Sequence, residues 1–124
     1  MVRLGMRTYN AEQRQEAAAH RVASAFLRNL SGTYDVAEVI MFGSRARGDH
    51  RPDSDLDLAI VLNGPRGDFI DTKLDMAGIA FDVLLETGVL VQPFPMWVGD
   101  LAHPERFTNP ALIQIISEDG IRLG

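Results

Sequence analysis

Two short apolar runs, Val36–Phe42 (VAEVIMF) and Leu56–Leu62 (LDLAIVL), bracket a polar stretch, and their spacing constrains the fold more than anything else in the chain. The first run is rich in strand formers and stops at Gly43-Ser44, so it reads as a β-strand ending in a tight turn. Ten residues follow, with Gly48 and Pro52 among them, as expected of turn and short helix. Asp55 and Asp57 then open the second run, which is apolar enough to be a central strand. Side chains two apart on a strand share a face, so the two carboxylates converge while Leu56 and Leu58 point into the core.

That pattern has a chemistry. Two ionised acids held together repel unless a cation lies between them, and Mg²⁺ commonly takes one or two carboxylates together with substrate phosphates. Such an ion clamps a triphosphate and screens charge at the phosphorus. Gly43 lets backbone amides approach a phosphate closely, and a helix start beyond it adds donors. Ser44 offers one hydroxyl more. Arg45 and Arg47 lie just inside that helix, where guanidinium forks can meet phosphate oxygens. Alone, a D-x-D pair or a Gly-Ser pair is more often a solvated turn; the combination at this spacing favours phosphate and metal.

The remaining chain supplies a frame. Residues 1–9 carry no periodicity and are expected to form a flexible arm ahead of a single domain, residues 10–124. Asn10 suits an N-cap with Gln13 completing a capping box, and Ala18, Val22, Ala25, Phe26 and Leu30 form one helical stripe. Ser31-Gly32 is the expected stop, with Gly32 able to take the left-handed conformation. From Asp68, the residues Ile70, Leu74, Ala77, Phe81 and Leu84 recur at four- and three-residue steps, and Thr87-Gly88 is the exit of a second long helix. Val89 to Phe94 is expected as a third strand, at an edge because of Pro93 and Pro95. Pro110 to Ser117 is a last short helix started by Asn109. The order predicts an α/β (α+β) fold in two layers, with helices packed on a mixed sheet of at least three strands.

Composition narrows the function. The 124 residues include no cysteine, which excludes a disulfide scaffold, a thiol nucleophile and a Cys-based zinc site. A formal charge of −5 argues against broad nucleic-acid binding. No apolar run reaches the ~20 residues of a membrane span, and the N-terminus lacks a signal-peptide pattern; a soluble cytoplasmic protein is expected. His20, His50 and His103 share no ligand spacing and read as surface residues. Met96 and Trp97 read as cover for the sheet edge. The first helix is long for so small a core, which leaves room for a homo-oligomer contact.

The segment GSRARGDHRPDSDLDLAIVL resembles the signature of the minimal nucleotidyltransferases of the DNA polymerase β-like superfamily. The resemblance implies transfer of a nucleoside monophosphate from a triphosphate, with ATP the expected donor, to a hydroxyl, with Mg²⁺ as cofactor. It carries Gly43 and Ser44 as the phosphate-binding pair, and Asp55 and Asp57 as metal-binding, catalytic carboxylates. Many such proteins are antitoxins paired with HEPN-type ribonuclease toxins, and some add AMP to a toxin tyrosine; a protein partner of that kind is therefore implied. Active members use a third carboxylate on a later strand. If the second long helix runs to Glu86, the third strand holds Gln92 as its only polar side chain. If FDVLLE is instead the strand, Asp82 is that acid; the helical repeat favours the first reading. A contact-only binding module of the same fold and an aminoglycoside-type transferase are the competing readings, although the latter usually carries an additional helical domain.

Overall fold

A computed structural model describes residues 11–49, 51, 53–107 and 109–123. The expected arm at residues 1–9, the Asn10 cap and His50 lie outside the described residues, as does the side chain of Gln13.

The elements run α1 (Ala11–Leu30), β1 (Val36–Phe42), α2 (Ser44–Arg47), β2 (Leu56–Leu62), α3 (Phe69–Thr87), β3 (Val91–Trp97), α4 (Pro110–Asp119) and β4 (Ile121–Arg122). Two short 3₁₀ turns, Val98–Ala102 and Pro104–Arg106, link β3 to α4. One mixed sheet has the order β3-β2-β1-β4. β1 is antiparallel to both β2 and β4, while β2 and β3 are parallel and joined through α3. β2 is central as its apolar run predicts: Asp57 is its one residue that is not buried.

Alternation along the strands sorts the core into two clusters. Leu56, Leu58, Ile60 and Leu62 of β2 join Val22, Phe26 and Leu30 of α1 and Met76, Ala80 and Val83 of α3. Ala59 and Val61 face the other way, toward Phe107 and the α4 residues Ile113 and Ile116. The α1–α3 layer on a mixed sheet is the expected arrangement, and α4 adds partial cover to the opposite face. Asp57 has the parity of Ala59 and Val61, so it stands on the α4 side of the sheet. No helix among the described residues is long and apolar enough to cross a membrane.

Two expectations are corrected. β3 begins at Val91, not Val89, and runs on through Pro95 to Trp97. Backbone groups of alternate residues point to the same side of a strand, so two prolines two apart remove donors from one side only, and β3 is an edge. Gly32 does not take positive φ; α1 ends instead with the Leu30 carbonyl accepting from the amides of both Thr33 and Tyr34. In α3, capping by Asp68 and left-handed Gly88 match the sequence signals. An amphipathic helix should turn its apolar stripe to the core, yet Ile70, Leu74 and Phe81 are exposed, and Met76, Ala80 and Val83 are buried. Met96 and Trp97 are buried, as the structural reading expects.

Candidate functional site

The antiparallel pairing of β1 and β2 sets Phe42 opposite Asp57, so the turn after β1 returns to the mouth of β2. Gly43 makes that return at φ 75°, ψ −154°, a region that side-chain-bearing residues avoid. It also lies against the acid: a Cβ placed on Gly43 would sit 2.2 Å from Asp57 Oδ2. The glycine is therefore required twice, for its dihedral angles and for the space its missing side chain leaves.

Ser44 opens α2, a single turn closed by Gly48 in the left-handed conformation, whose amide donates to the Ser44 carbonyl at 3.0 Å. Arg45 is buried, with 8% of its surface exposed. Its Nε and Nη2 both donate to the Ser54 carbonyl, at 3.2 and 2.8 Å. This clasp holds the residue immediately before Asp55, so Arg45 shapes the loop that delivers the acid. Burial lowers its pKa while the Asp55 charge raises it. The Ser54 hydroxyl accepts from the Arg51 amide at 2.8 Å, and the Arg51 carbonyl accepts from the Ser54 amide at 3.0 Å, tightening the same loop. Arg47, exposed, pairs with Asp49 at 3.2 Å.

Asp55 is exposed and Asp57 half-buried. Burial and the neighbouring Asp55 charge raise the Asp57 pKa, and Arg47 partly offsets them. The two acids thus form an undercompensated anionic pair, which a divalent cation would relieve. No group of three or more His, Cys, Asp or Glu side chains among the described residues is arranged to hold a metal. The donor set fits an ion that draws its remaining ligands from phosphate and water, as Mg²⁺ does.

The parallel register places Gln92 of β3 beside Asp57, and its Nε2 donates to Asp55 Oδ2 at 3.0 Å. The sequence marks Gln92 only as the lone polar side chain on an apolar strand; its position beside the acids comes from a register across α3. Asp82 lies on α3, exposed, and not on a strand. His20 is exposed on α1, and His103 pairs with Glu105 at 3.2 Å.

A family model described as a nucleotidyltransferase domain matches residues 21–121, a span reaching from within α1 to the start of β4. No curated protein matches the chain. Among solved structures, it is similar to a proposed nucleotidyltransferase from Sulfolobus solfataricus, with 20% identity and a TM-score of 0.59 over 95% of this chain and 90% of that one. At that identity the likeness concerns the fold.

Proposed function

The chain belongs to the nucleotidyltransferase domain family, and from that premise we propose that it transfers AMP from ATP to a hydroxyl of a partner protein, as the antitoxin of a HEPN-type toxin. The observation that supports the transfer reading is the contact between the Gly43 turn and the Asp57 carboxylate, which puts the backbone proposed to receive phosphate next to the acid proposed to hold metal. The protein acceptor and the antitoxin role rest on the resemblance of the Gly43–Leu62 segment.

In this reading Gly43 and Ser44 receive phosphate oxygens of the triphosphate. Asp55 and Asp57 would hold Mg²⁺, which supplies charge neutralisation at the α-phosphorus and lowers the pKa of the attacking hydroxyl. The acceptor oxygen bonds to the α-phosphorus, the bond to the bridging oxygen breaks, and pyrophosphate leaves. The hydroxyl proton passes to a site carboxylate or to water. Arg45 and Gln92 act on position, one by fixing the loop before Asp55 and the other by orienting the Asp55 carboxylate.

One observation favours a second reading. The third strand offers an amide where a further acid would assist proton removal, and Asp82 is on a helix. A module that binds its partner without modifying it fits that composition. Base-labelled ATP with Mg²⁺ and the protein encoded beside this one separates the two. Label on the acceptor, lost in Asp55→Asn/Asp57→Asn and changed by less than about tenfold in Asp82→Asn, is the expected result. Tight partner binding with no label in the wild type would select the contact-only module.

A further inference from the structure

Four of the large apolar side chains exposed on the described surface belong to one helix: Ile70, Leu74, Phe81 and Leu85 of α3, each more than half exposed. At 100° per residue they fall on one stripe with Ala77 between them, roughly opposite the buried Met76, Ala80 and Val83. α3 therefore has two apolar faces, of which the sheet and α1 cover one. A contiguous patch on the order of a few hundred Å² is at the size that marks an interaction site. The acids of α3, Asp71, Asp75, Asp82 and Glu86, fall by the same rotation along one border of the stripe; Lys73 is the one cation of the helix. Asp75 accepts from Tyr34 and Glu86 pairs with Arg28, while Asp71 and Asp82 have no ion pair among the described residues.

We propose that the outer face of α3 is a docking surface for an amphipathic helix of a partner protein, one whose apolar stripe is bordered by Lys or Arg. Charge selects the occupant. A second copy packed antiparallel would set acidic border on acidic border, and each chain carries −5. A basic helix meets the acids and covers the stripe at i, i+4, i+7 and i+11 anchors. This surface is separate from the nucleotide site, and its test uses no nucleotide, so its failure leaves the transfer reading standing.

The probes are two synthetic amphipathic helices with the same leucine face, one with lysine and one with glutamate on the polar face, titrated by fluorescence anisotropy. The lysine peptide should bind at least about tenfold more tightly than the glutamate peptide. Leu74→Ser/Phe81→Ser should weaken it about tenfold or more at unchanged Tm. Asp71→Asn/Asp82→Asn should weaken it about threefold, and the equally charged control Asp35→Asn/Asp119→Asn should not. Binding indifferent to the apolar double variant would overturn the proposal. So would a dimer in sedimentation that this variant dissolves, because a second copy would then be the occupant.

Discussion

Gly43 and Asp57 constrain each other, and substitutions on either side of that contact separate geometry from charge. Alanine at position 43 would adopt φ 75° at a cost of about 1–3 kcal/mol. It would also bring its methyl into Asp57 Oδ2, so the acid must rotate or the turn must open. Gly43→Ala should therefore lower stability in urea by that amount and weaken Mg-ATP binding in calorimetric titration by more than tenfold. Unchanged affinity would mean that phosphate does not approach this turn. Gln92 is the complementary probe, since it is in register with Asp57 and bonded to Asp55. Gln92→Asp adds a third acid to a pair already short of compensating charge. The variant should melt lower than wild type without metal and bind Mn²⁺ about tenfold more tightly. If transfer is limited by proton removal, its rate should rise within the ~10²–10⁴-fold range of general-base help. A variant that binds Mn²⁺ no better would place Gln92 outside the metal's reach.

At the level of elements, a polar strap joins the exit of α1 to α3: Tyr34 Oη donates to Asp75 Oδ2 at 2.5 Å. Burial first, then that bond and the Asp75 charge, push the Tyr34 pKa up to about 12 from the ordinary 10.0. Its protonated form is favoured in the fold, so the stabilisation is complete below pH ~10 and is lost as pH rises toward ~12. In a Tyr9→Phe background, tyrosinate absorbance should show Tyr34 ionising near 12, and Asp75→Asn should return it toward 10. Midpoints equal in the two proteins would dissolve the strap. Strap and helix facing are also where sequence legibility ends. β1 and β2 were readable to the residue because period-two alternation and the flanking Gly and Asp signals are local. α3 was readable as a helix from its caps and repeat, but not in its orientation: Ile70, Leu74 and Phe81 carry the same periodic signal as Met76, Ala80 and Val83. Only packing decides which set faces the sheet. For the same reason Gln92 was visible as an oddity and not as a neighbour of Asp55, because a parallel register across a 19-residue helix leaves no trace in local pattern. Arg45 shows the limit in another form, since its charge suggested phosphate while the structure ties it to the Ser54 carbonyl.

Across the whole molecule, the candidate site is assembled from the turn after β1, the mouth of β2 and the start of β3, so it exists only when the sheet is formed. Ligands that need all three therefore stabilise the native state and leave the unfolded chain untouched. The charges dictate an order of dependence. A chain of net −5, with Asp55 and Asp57 side by side at the candidate site, repels a bare triphosphate, and among the described residues a divalent ion alone would find two acids there. In the proposed reading, each ligand would complete the site for the other. At one hundred times the dissociation constant, binding adds about 2.7 kcal/mol, which corresponds to a Tm rise of several degrees in a domain of this size. Mg²⁺ with ATP should therefore raise Tm by more than the sum of the shifts given by each alone. Asp55→Asn/Asp57→Asn should remain folded and lose that excess, with any residual ATP shift independent of Mg²⁺. Arg47→Ala, which removes a charge that partly offsets the burden on Asp57, should keep the synergy. If ATP without metal shifts the wild type as far as the pair does, the acids are not the metal site and the nucleotide is held elsewhere on the protein.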